Sequence, residues 1–83
     1  MVVILHNIRS LHNVGSIFRT ADAAGVNKIY LTGITPRPTD RLGQFRLQVT
    51  KVSLGAEQIV PWEKFHSTGK LINKLKSDGY KIF

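Results

Sequence analysis

The chain has 83 residues, and 12 Lys plus Arg against 5 Asp plus Glu leave a formal net charge of +7 at pH 7. That length sets one small domain, excludes a large multidomain enzyme, and lets the fold bury only roughly 60% of the surface its unfolded form exposes. The absence of cysteine excludes disulfide staples and thiolate metal ligands and points to a reducing compartment, while the basic balance fits either an anionic, phosphate-bearing partner or a merely solvated positive surface.

Residues 2–5 (VVIL) form a short continuous apolar run rich in β-branched side chains, which predicts a strand covered on both faces, as in a parallel sheet. After a polar turn over residues 7–12, the apolar positions shift to Val14, Ile17, Phe18, Ala21 and Ala24. This helical spacing predicts a helix over 12–24, closed by Gly25 at its C′ position. KIYLT at 28–32, ended by Gly33, predicts a second strand after its helix, the grammar of a βαβ crossover.

Residues 34–48 hold Pro36, Pro38, Asp40 and Gly43 with Arg37, Arg41 and Arg46, and read as a long surface loop. A short helix is predicted over 50–56. A third strand follows at 58–60, stopped by Pro61, with Trp62 continuing the packing beyond it. Ser67 or Thr68 caps a last helix that turns Leu71, Ile72 and Leu75 inward and ends at Gly79, before another apolar strand begins at 80–83. The expected architecture is α/β, an open parallel sheet of βαβ units in one domain. The longest apolar stretch falls far short of the roughly 20 residues that span a bilayer, and no signal segment opens the chain, so a soluble, cytoplasmic protein is expected.

The densest polar constellation lies between the first strand and the first helix: His6, Asn7, Arg9, Ser10, His12, Asn13, Gly15, Ser16 and Arg19. In open α/β sheets ligands bind outside the carboxyl ends of strands and near helix N-termini. On a wheel of about 100° per residue, Arg19 falls about 160° from the apolar face and points away from the core. Gly15 lies on the same stripe one turn earlier, where a missing side chain admits a phosphate or a second backbone. Asn13 offers an amide to cap the helix or bind a hydroxyl. Arg19 then reads as a phosphate clamp beside the helix start, or as a surface residue paired with Asp22 at i+3.

Other chemistries lack their residues. There is no G-x-G-x-x-G and no Walker-type loop. His6, His12 and His66 have no carboxylate or cysteine at metal-ligand spacing, which predicts polar or turn roles and no metal. Glu57 and Glu63 form no acid/base pair, and Trp62 and Phe65 read as core aromatics.

The string from Asn7 to Asp22, with Asn13-Val14-Gly15, then Arg19-Thr20-Ala21 and Gly25, resembles the first motif of the SpoU (TrmH-like) RNA ribose methyltransferases of the SPOUT class. Residues 51–57 (KVSLGAE) resemble that family's next recurring stretch. The resemblance implies ribose 2′-O-methylation of ribosomal or transfer RNA from S-adenosylmethionine, with Arg19 as principal catalytic residue and Asn13 its partner. It leaves Arg9, Arg37, Arg41 and Arg46 as RNA contacts.

Family members continue into a Gly-Glu-Gly type loop and a Ser-Leu-Asn-Val type segment, which form the trefoil knot, bind the cofactor and build much of a homodimer interface. Neither is present here. The expectation is the N-terminal half of a SPOUT-type domain with an incomplete cofactor pocket, inactive alone. A non-catalytic basic RNA-binding module is the alternative.

Overall fold

The computed structural model describes residues 1–80. Strands β1 (Val2–His6), β2 (Lys28–Thr32) and β3 (Trp62–Phe65) form one sheet in the order β1-β2-β3, with both pairings parallel. Helix α1 (Leu11–Ala24) connects β1 to β2; α2 (Leu47–Ser53) and a single 3-10 turn (Ala56–Gln58) lie between β2 and β3; α3 (Thr68–Ser77) follows β3. The α/β class and the parallel βαβ order are as the sequence predicts.

Each face of the sheet has its own core, because alternate residues of a strand point to opposite sides. Leu5, Ile29 and Leu31 pack with Val14, Phe18 and Ala21 of α1 and with Ala56 and Val60. On the other face Tyr30 packs with Leu71 and Leu75 of α3, joined by Val2, Ile4 and Phe65. Trp62 and Phe65 therefore serve one core each. Central β2 is buried over Ile29–Thr32, whereas most of β1 and all of β3 are half-buried. Each fully buried large apolar side chain contributes about 1.5–3 kcal/mol.

Helix α1, helix α2 and the third strand differ from the prediction, each for a local reason. Helix α1 begins one residue earlier, at Leu11, because the Ser10 side chain accepts a hydrogen bond from Asn13 N. Its far end closes as predicted on Gly25, at φ 72°, with Val26 N donating to Ala21 O.

Helix α2 starts at Leu47, inside the predicted loop, and ends at Ser53 instead of residue 56. Its N-cap is Arg46, with no side-chain cap hydrogen bond, so the usual start signal is missing. The rest of that loop is ordered: the Asp40 carboxylate accepts from Leu42 N and Gln44 N, and a bridge joins Thr39 to Phe45.

The third strand is not at 58–60. The carbonyl of Ala56 takes the N–H groups of both Ile59 and Val60, which are the donors a strand there would need. The strand instead follows Pro61, whose carbonyl accepts from Ile29 N. Of the strand predicted at 80–83, all but Tyr80 lies outside the described residues.

Candidate functional site

The polar residues of the β1–α1 segment separate into two groups. The first is a network across the carboxyl ends of the three strands. Asn7 follows β1 at φ 57°, and its Oδ1 accepts from Ile34 N at 3.0 Å. With that oxygen engaged, Nδ2 donates to His6 Nε2 at 3.2 Å. The His6 proton then sits on Nδ1, which faces the hydroxyls of Thr32 and Thr68, each at 3.1 Å.

Thr35, fully buried, accepts from Ile8 N and donates to Leu5 O at 2.8 Å. Lys64 donates to the carbonyls of Gly33 and Thr35 at 2.7 and 2.6 Å. Burial, with the Arg37 charge adding to it, pushes the Lys64 ammonium below the ordinary lysine value. Gly33, at φ 62°, has no room for a side chain, since a Cβ would stand 2.0 Å from Asn7 Oδ1. His6 and Asn7 thus tie strand ends together, with their polar atoms spent on neighbours.

The second group lies on the helical layer. Gly15 is buried, and a Cβ there would stand 2.4 Å from Val52 Cγ2 and 2.7 Å from Val49 O. Of the two readings of Gly15, the structure selects the second backbone: α2 packs where a side chain would be. One turn later the helices part into an open groove of about 520 Å³ lined by Ser16, Arg19, Thr20, Ala23, Lys51 and Val52. It has two cations, two hydroxyls and no carboxylate.

Arg19 is exposed, as the wheel predicts. It is not beside the helix start, however. With α1 beginning at Leu11, Arg19 stands about 12 Å along the axis, beyond the free N–H groups of the first turn. The pairing with Asp22 is not formed either; the one ion pair among the described residues joins Lys28 and Glu63 at 3.1 Å, on the other face of the sheet. Glu63 holds the Lys28 ammonium above its ordinary value.

The remaining candidates stand apart from this groove. Asn13 is exposed in the first turn of α1 and about 120° around the helix from Arg19; Ser10, not Asn13, caps the helix. Arg9, Arg37, Arg41 and Arg46 are all exposed, and none lines the groove. Arg46 donates to Thr39 O and braces the ordered loop. Lys51 is the groove residue that spacing alone did not single out. Its signal is Gly15, which marks where another element must cross α1, together with Val52, the side chain that fills the contact.

The groove offers no carboxylate to pair with the sulfonium cation of S-adenosylmethionine, and Arg19 and Lys51 would oppose that charge. No helix among the described residues is long and apolar enough to cross a membrane.

A protein of Staphylococcus haemolyticus assigned to the TrmH family of tRNA/rRNA methyltransferases is 40% identical over 81 residues, 98% of this chain and 30% of its own length. A Staphylococcus epidermidis protein of the same assignment is 38% identical with the same coverage. The crystal structure of an rRNA methyltransferase from Sinorhizobium meliloti matches with a TM-score of 0.74 and 32% identity, over 90% of this chain and 26% of that one. Its AdoMet-bound form matches with a TM-score of 0.73. The SpoU methyltransferase AviRb from Streptomyces viridochromogenes shares the fold, with a TM-score of 0.74 at 22% identity, over 92% of this chain and 27% of that one. The chain thus spans about 30% of the length of the curated relatives it matches. The model of the SpoU rRNA Methylase family matches residues 1–83, and the chain belongs to that family.

Proposed function

We propose that the chain is the substrate-facing, N-terminal part of an RNA methyltransferase that transfers a methyl group from S-adenosylmethionine to a ribose 2′-hydroxyl of ribosomal or transfer RNA. The observation that carries this reading is Arg19, a guanidinium with no ion-pair partner among the described residues, on an open groove lined by none of their acids, within a chain matched over its whole length by the family model. Arg remains protonated at any working pH, so its role is to bind the RNA phosphate and stabilise charge developing on the ribose oxygen. Asn13, as its partner, offers an amide to the substrate from the neighbouring face of α1. Arg9, Arg37, Arg41 and Arg46 spread further phosphate contacts along the β1–α1 and β2–α2 connections.

The methyl donor is held by segments of the family outside the matched third, which is consistent with the unsuited charge of the Arg19 groove. Residues 1–83 are then a partial domain, inactive alone, and the family-length protein is a cytoplasmic homodimer. The cationic groove equally suits the second reading, a non-catalytic RNA-binding module.

A chimera separates the two. This chain replaces the matching 81 residues of the Staphylococcus haemolyticus protein, and the product is incubated with RNA and S-adenosylmethionine. The expected result is RNA that yields 2′-O-methylated nucleosides on digestion, with Arg19→Ala abolishing transfer. Methylation on a base would overturn the ribose assignment. RNA binding without methylation would favour the binding module.

A further inference from the structure

We propose that Lys51 is a second phosphate-gripping residue, acting with Arg19 on one stretch of RNA backbone across the groove between α1 and α2. The proposal rests on the RNA reading above and adds to it a residue on a different element.

The placement follows from packing. Helix α2 has seven residues and buries Val49 and Ser53. Val49 and Val52 sit against Gly15, which is side-chain-free where they cross. Arg19 emerges one turn after that crossing on α1, and Lys51 emerges beside Val52 on α2, so a single contact brings both cations to the same groove. Neither forms an ion pair among the described residues. Two cations sharing an opening with no carboxylate repel one another, and a bound anion removes that repulsion. The Ser16 and Thr20 hydroxyls, on the same stripe of α1, add neutral donors suited to phosphate or ribose oxygens. An RNA backbone supplies the repeating anion, and Arg and Lys on two helices fix its direction across the groove.

The test measures fluorescence anisotropy of a labelled single-stranded oligoribonucleotide with the 83-residue chain over a salt series, after circular dichroism has confirmed equal folding. Lys51→Gln is expected to weaken binding about 3- to 10-fold at low salt and to lower the slope of log affinity against log salt by about one contact's share. Lys51→Arg should keep the affinity. Lys76→Gln, a charge-matched change on α3 against the opposite face of the sheet, should change nothing. The Arg19→Gln, Lys51→Gln double variant should lose less than the product of the single losses, because both residues serve one backbone segment.

If Arg19→Gln weakens binding while Lys51→Gln behaves like Lys76→Gln, the proposal fails and the RNA reading stands. If the unsubstituted chain binds no RNA at any salt, the groove does not grip phosphate and this proposal fails, while the methyltransferase reading is decided by the chimera.

Discussion

Two regions of the β1–α1 segment carry the same kinds of side chain and do opposite things with them. At the strand ends, His6, Asn7, Thr32, Thr35 and Lys64 satisfy one another and the backbone around them. On the helical layer, Arg19 and Lys51 face an open groove with no acidic partner among the described residues. Polar groups bonded within the fold stabilise it and have little left for a ligand, whereas unpaired cations on a groove are available to one. The distinction predicts that substitutions at the strand ends are read in stability and those in the groove in binding.

The largest effect is expected for Thr35→Val. Removing the buried hydroxyl leaves Ile8 N without its acceptor, at a cost of about 1–3 kcal/mol, and takes from Leu5 O its 2.8 Å donor, leaving it the Thr32 hydroxyl at 3.5 Å. Urea unfolding followed by circular dichroism measures this loss, and a change below half a kcal/mol would sink the structural role given to the network.

Next comes Gly15→Ala. The new methyl gains about 1 kcal/mol of helix propensity but meets Val52 and the Val49 carbonyl. A net destabilisation of about 1–3 kcal/mol is expected, with weaker RNA binding because the two helices separate. Thermal melts and anisotropy on the same sample check both halves.

Asn7→Ala, which releases Ile34 N and His6 at an exposed position, should cost about 1 kcal/mol and leave RNA affinity unaltered. Arg19→Gln should do the reverse, changing the melting temperature by no more than a degree or two while weakening RNA binding. An Arg19→Gln chain that unfolds early would break the contrast.

The smallest effect lies in alkaline titration. Lys28 is held above 10.5 by Glu63, so its share of stability is full below 10.5 and is lost as pH rises through the folded value. Lys64 is depressed below 10.5; there the unfolded state binds more protons, and stability rises as pH climbs from the folded value towards 10.5. Both groups are part-exposed, so each slope is shallow. Lys28→Gln should flatten the alkaline decline in melting temperature and Lys64→Gln the rise that precedes it.

Much of the fold could be read from the residues. Strands β1 and β2, helices α1 and α3 and the parallel arrangement follow from apolar periodicity, the Ser67 cap and the Gly25 stop, while the Ser10 cap of α1 was missed. Helix α2 was expected three residues too late because Arg46 gives no cap signal, and β3 shifted past Pro61 because Ala56 captures two backbone donors.

The site was legible in part. Arg19 pointing outward follows from helical geometry alone, but its distance from the helix start depends on the cap. The fate of Gly15 depends on a crossing with α2 more than 30 residues away in sequence, which local spacing cannot supply. His6 and Asn7 looked like ligand groups because their partners, Thr68 and Ile34, come from elements that meet only in three dimensions.

The most direct measurement is an NMR titration of the isotope-labelled 83-residue chain with a single-stranded oligoribonucleotide. The account predicts the largest amide shifts at Ser16, Arg19, Thr20, Ala23, Lys51 and Val52, smaller ones at Arg9, Arg37, Arg41 and Arg46, and none at His6 and Thr68. Shifts centred on the strand ends, with the groove silent, would contradict it.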